Sequence, residues 1–111
     1  MGERRRFAHV KLPHTARVFV LDSKGLRIGP VRMIGEGGLL IATKRQFAEG
    51  SPHQFTLLEE GEDIHREITA VARYHLPEGA AFEFRSLQAE AAIEIGVIIG
   101  KYCCGARSAA A

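Results

Sequence analysis

Between Ala16 and Ser86 the chain alternates short segments rich in β-branched and aromatic residues with clusters of turn formers. No stretch in this region sustains a helical apolar period, so the fold is built from short strands. The clearest case is "AAFEFRS" at 80–86, where Phe82 and Phe84 share one face and Glu83 and Arg85 the other. That spacing matches a half-buried strand. Five more segments read the same way: 16–22 (ARVFVLD), 26–34 (LRIGPVRMI), 39–43 (LLIAT), 54–59 (QFTLLE) and 64–75. Turns fall at "SKG", "GEGG", "EGSP", "EGED" and "LPEG", where glycine supplies backbone freedom and proline removes a donor. Pro30 within the second strand implies an edge or a bulge. In 64–75, Ile64, Arg66, Ile68, Ala70, Ala72 and Tyr74 share one parity.

The period changes after Ser86. Leu87, Ala91, Ile95, Ile98, Ile99 and Tyr102 are spaced as one stripe of a helix over 87–102, with Gln88, Glu90, Glu94 and Lys101 mostly off it. Gly96 and Gly100 each weaken such a helix by roughly 1 kcal/mol relative to alanine. Their GxxxG spacing suggests close packing on the barrel or on a second copy. Six short strands and one helix, with no βαβ alternation, predict a mainly β fold: a small six-stranded antiparallel β-barrel with a C-terminal α-helix. The chain divides into a basic arm over 1–15, the barrel and helix over 16–102, and a flexible tail over 103–111.

At 111 residues the chain fits one domain, and 46% hydrophobic content is enough for one core. The formal net charge is +2, yet residues 1–17 hold five basic residues against Glu3 alone, so the rest is slightly acidic. This distribution suggests an anion near the N-terminus. The longest apolar run, 91–100, is interrupted by Glu94 and too short to span a bilayer. No secretory signal pattern precedes it, and adjacent Cys103 and Cys104 do not form a disulfide framework, so a cytoplasmic location is expected.

No enzyme constellation is present: there is no Walker loop, GxGxxG or GxSxG. His9, His14, His53, His65 and His75 lack the tight spacing of metal ligands. No metal, cofactor or catalytic role is therefore expected. Arg4, Arg5 and Arg6 by themselves read as a solvated basic tail; the alternative is a clamp for a guanine nucleotide, because a guanidinium grips phosphate in a fork and reads the guanine edge.

"RRRFAHVKLPHTARVFV" followed by "VRMIGEGGLLI", and the closing "AAFEFRSLQAEAAIEIGVIIGKY", resemble the PilZ domain over about residues 3–102. The resemblance implies an arginine arm, a six-stranded barrel and a C-terminal helix. It also implies a non-catalytic bacterial receptor for cyclic di-GMP. Such a receptor acts through a protein partner in motility, pilus, exopolysaccharide or secretion control. In the family's RRxxxR motif the first two arginines correspond to Arg4 and Arg5, and the third falls on His9. In its Asp/Asn-x-Ser-x-x-Gly motif the three positions fall on Met33, Gly35 and Gly38. The implied ligand residues are Arg4, Arg5, His9, Gly35 and Gly38. Three positions depart from the pattern: His9, Met33 and Gly35. A hydrogen bond to a charged group is worth roughly 1.5–3 kcal/mol, and a micromolar complex has only about 8 kcal/mol in all. The losses therefore predict weakened binding. A PilZ-fold adaptor that binds no nucleotide is the alternative. Nucleic-acid binding is disfavoured by the absence of tryptophan and by the acidic body.

Overall fold

A computed structural model of the chain describes residues 9–62 and 64–110. Seven strands and one helix follow in order: β1 (His9–Lys11), β2 (Val18–Leu21), β3 (Arg27–Gly35), β4 (Gly38–Ile41), β5 (Pro52–Glu59), β6 (Ile64–Leu76), β7 (Gly79–Arg85) and α1 (Ala89–Ala110). The strands pair in the order β3-β2-β5-β6-β7-β4, and β4 returns to β3, which closes a six-stranded antiparallel barrel. Closure leaves the six strands without a free edge along these ladders. The barrel and the C-terminal helix are those expected from the strand count and the helical stripe. Among the described residues, no helix is long and apolar enough to cross a membrane.

Strand β1 is new. It lies inside the stretch read from sequence as an arm, and it pairs with the end of β3. Three residues carry too little alternation to stand out locally; the open edge of β3 past β2 makes them a strand. Pro30 sits in the middle of β3, opposite Phe19, so β3 is not an edge strand. The bulge reading holds instead. Val31 pairs with Ile41 and Met33 with Leu40, which leaves Arg32 as an extra residue. The Arg32 carbonyl accepts a hydrogen bond from the Leu12 amide at 2.9 Å, so the bulge helps anchor the chain leaving β1.

A second bulge corrects the reading of β6. Ala72 pairs with Phe82 but Tyr74 pairs with Ala81, so Arg73 is the extra residue. The parity that carries Ile68, Ala70 and Ala72 inward is broken there, and Tyr74 turns out to solvent at 60% exposure. A bulge of one residue exchanges the faces beyond it.

The barrel interior is filled by Val18, Val20, Ile34, Ile41, Leu57 and their neighbours. Ala91, Ile95 and Ile98 of α1 join the same core, and α1 packs against β1, β3 and β6. The helix begins at Ala89 rather than 87 and continues to Ala110, beyond the 102 expected. Glu94, placed off the stripe by sequence, is 6% exposed. Lys101 explains how the far half of the helix is tethered: its Nζ lies 2.6 Å from Oε2 of Glu59, a carboxylate 3% exposed, and 3.5 Å from Glu62. Gly96 and Gly100 do not pack on the barrel, since a Cβ at either would meet nothing within 4 Å.

The segment between β4 and β5 folds Phe47 against Phe55, Phe82 and His53, with ring centroids 6.3, 5.0 and 5.1 Å away. The Phe47 amide donates to Nε2 of His75 at 3.2 Å. Burial, and secondly the Arg45 charge, push the His53 pKa below the usual histidine range.

Candidate functional site

The β1–β3 ladder assembles the positions that the two motifs separate by more than twenty residues. His9 pairs with Gly35, and Lys11 with Met33. Met33 in turn pairs with Leu40, one turn of chain away, and Gly38 pairs with Glu83 of β7. The expected turn at "GEGG" therefore narrows to Glu36 and Gly37, with Gly35 closing β3 and Gly38 opening β4.

Gly38 has a structural reason. A Cβ there would lie 2.2 Å from the Phe82 carbonyl oxygen and 3.3 Å from Glu83 Cα. Strand β4 crosses β7 too closely at this rung for any side chain. Phe84 adds a hydrogen bond from its amide to the Gly37 carbonyl at 2.9 Å, which holds the turn against β7.

A cleft of about 700 Å³ opens on the outer wall of the barrel beside these residues. That volume lies within the range of small-ligand sites. His9, Met33, Glu36 and Gly38 line it, together with β6 and β7 residues that sequence reasoning missed: Arg73, Tyr74, Leu76 and Glu83. Gly35, the register partner of His9, is buried and does not line it. Arg4 and Arg5 lie outside the described residues. Three ladders set an apolar row across four strands of the wall: Met33 on β3, Leu40 on β4, Ala81 on β7 and Tyr74 on β6. The β6 bulge makes this row possible by turning Tyr74 outward. Nothing local in "VARYHLPEG" signals it, because the bulge is defined only by the register of β7.

The charges are uneven. Oε1 of Glu83 lies 3.5 Å from Nε of Arg73 and 4.0 Å from Nη2 of Arg85, so two guanidinium groups share this one carboxylate. Glu36 and Glu78 are exposed and make no ion pair among the described residues. No three His, Cys, Asp or Glu side chains converge as metal ligands among the described residues. The arrangement suits binding: an apolar floor, one flat exposed ring, and the His9 imidazole at the β1 corner.

The family model for the PilZ domain matches residues 3–100. The chain belongs to the PilZ family. PilZ domains are generally cyclic di-GMP-binding signalling modules without catalysis of their own. In this PilZ chain the two motif segments meet at one corner of the cleft, where β1 pairs with β3 and β4 opens beside it. Among curated proteins, none is similar enough to the chain to count as a relative.

Proposed function

We propose that this PilZ chain binds cyclic di-GMP in the cleft beside β1, with affinity lowered by its altered motifs, and controls a protein partner without catalysis. The observation that carries the reading is the convergence of His9, Met33 and Gly38 on one cleft. Arg4 and Arg5 precede His9 by five and four residues, so an extended chain reaches roughly 13–18 Å from the cleft corner. That reach lets their guanidinium groups grip a phosphate or a guanine edge over the cleft. The exposed Tyr74 ring offers a flat surface on which a base can stack.

The cleft also carries reasons for weak affinity. Met33 supplies a thioether where an amide or carboxylate would bond the base, and Gly35 has no hydroxyl. Glu36 and Glu78 bring negative charge toward a dianion. Losing two charge-assisted contacts removes roughly 3–6 kcal/mol. A complex that would be micromolar with about 8 kcal/mol becomes weak. A receptor for an intracellular messenger belongs in the bacterial cytoplasm, with a partner in motility, pilus, exopolysaccharide or secretion control.

Calorimetric titration of the purified chain with cyclic di-GMP at moderate salt tests the reading. Binding weaker than about 10 μM is expected, and the double substitution R4A/R5A should abolish it. Unchanged affinity in that variant would remove the arginines from the site. No heat with wild-type protein at several hundred micromolar nucleotide would favour the second reading, an adaptor without nucleotide. The apolar row across the cleft wall is the specific feature on that side.

A further inference from the structure

We infer that residues 43–49, between β4 and β5, form a pH-sensitive flap that closes the barrel mouth opposite α1 while His75 is neutral and opens when His75 takes up a proton. The inference uses neither the cleft nor the arginine arm, so it stands whether or not a nucleotide binds.

The two mouths are closed differently. Lys101 ties α1 to Glu59 at one end of β5, whereas His53 stands near the other end. There Phe47 does the closing, half-buried against Phe55, Phe82, His53 and His75. Its segment is anchored at both ends by backbone: the Ala42 amide donates to the Pro30 carbonyl at 2.9 Å, and the Gly50 amide to the Ala72 carbonyl at 2.7 Å. Between these anchors the Phe47 amide has one acceptor among the described residues, Nε2 of His75 at 3.2 Å. The β6 bulge supplies that acceptor, because the extra residue that turns Tyr74 outward turns His75 toward the mouth. His75 stays open to solvent, so a proton reaches it without unfolding of the barrel.

An imidazole nitrogen accepts a hydrogen bond only while it carries no proton. Once protonated, Nε2 of His75 is a donor facing the Phe47 N–H, and the bond is lost. His53 behaves differently. The Ser51 hydroxyl gives its proton to the Ala48 carbonyl at 2.5 Å, so Nε2 of His53, 2.8 Å from the same oxygen, is the donor there. A second proton on His53 goes to Nδ1 and places a charge in the aromatic cluster, which burial and then Arg45 oppose. No carboxylate pairs with either ring among the described residues. The charged group facing them is Arg45, whose guanidinium lies 5.7 Å from the Phe47 ring centroid and 3.2 Å from Asp22. Strand β7 sets uncharged Ala80 opposite His75, and Lys44, Glu49 and Glu78 are exposed and touch neither ring. With no acid to balance the added charge, protonation opens the flap, and losing one hydrogen bond raises the open population about five- to tenfold. Opening uncovers Phe55 and Phe82 at the mouth.

The test uses the full chain labelled with nitrogen-15 and carbon-13, with the Phe47 amide and both imidazoles followed by NMR across the range in which histidines titrate, about pH 8 to 5. The Phe47 amide proton should move upfield with the midpoint of the His75 ring. Its exchange protection, corrected for the intrinsic rate, should fall about five- to tenfold, while Val20 in β2 keeps its own. His75→Gln retains an acceptor oxygen at every pH, so its Phe47 amide should no longer follow pH. His75→Leu has no acceptor, and its Phe47 protection at neutral pH should already match that of the acidified wild type. A Phe47 amide that titrates unchanged in His75→Gln would overturn the proposal. So would a wild-type midpoint different from that of the His75 ring, or a parallel loss of protection at Val20, because acid would then be loosening the barrel as a whole.

Discussion

Replacing Gly38 by alanine separates a glycine kept for a ligand from one kept for the barrel. The added Cβ would sit 2.2 Å from the Phe82 carbonyl oxygen, whereas ordinary contact begins at 3.4 Å. The strands must part by about 1.2 Å. The obstructing atoms are backbone of β7, so no side chain can swing aside. Overpacking of this kind costs about 1–3 kcal/mol. Parting the strands also weakens the first β4–β7 rung and the Phe84-to-Gly37 hydrogen bond, at about 1 kcal/mol for a bond lost. The smaller conformational freedom of alanine in the unfolded chain returns about 0.4–1 kcal/mol. The net expectation is a loss of about 2–3 kcal/mol. With a urea m-value of about 1–1.5 kcal/mol/M, the midpoint should fall by about 2 M. Equilibrium urea unfolding followed by circular dichroism reads this directly. Gly96→Ala is the control: its Cβ meets nothing within 4 Å on an exposed helix face, and it should stabilise the chain by up to about 1 kcal/mol. A Gly38→Ala midpoint within experimental error of wild type would refute the steric argument and return Gly38 to a purely ligand-facing role.

Two other positions give independent checks. Lys101→Met leaves the Glu59 carboxylate buried without its 2.6 Å partner, and should destabilise the chain by about 2 kcal/mol; adding Glu59→Gln should recover part of that loss. The folded His53 pKa lies below its unfolded value near 6.5, first through burial and then through Arg45. Its contribution to stability is therefore present above pH 6.5 and declines as pH falls through and below that value. A melting-temperature series from pH 7.5 to 5 should slope less steeply in His53→Gln than in wild type; equal slopes would contradict the assignment.

Much of the fold is legible in local spacing because strands and helices each have a short period. The alternation in 80–86 reappears as β7 with Phe82 and Phe84 inward, and the stripe of Ala91, Ile95 and Ile98 reappears as the buried face of α1. The glycine at position 38 is visible in sequence as a motif match, but its cause is not, because the obstructing oxygen comes from a strand forty-four residues later.

The sequence by itself determined the number of barrel strands, the C-terminal helix, the basic N-terminus and the altered PilZ motif at His9, Met33 and Gly35. These depend on neighbours a few residues apart, whose side chains follow one period. Tertiary structure decided what depends on register between distant segments. It made β1 a strand by offering the end of β3, turned Tyr74 outward through the β6 bulge, and buried Glu94 within the helix face. It also brought Lys101 to Glu59 and set Glu36 and Glu78 at opposite ends of one apolar wall. A one-residue offset between paired strands moves a side chain from one face to the other, and only the partner strand defines that offset.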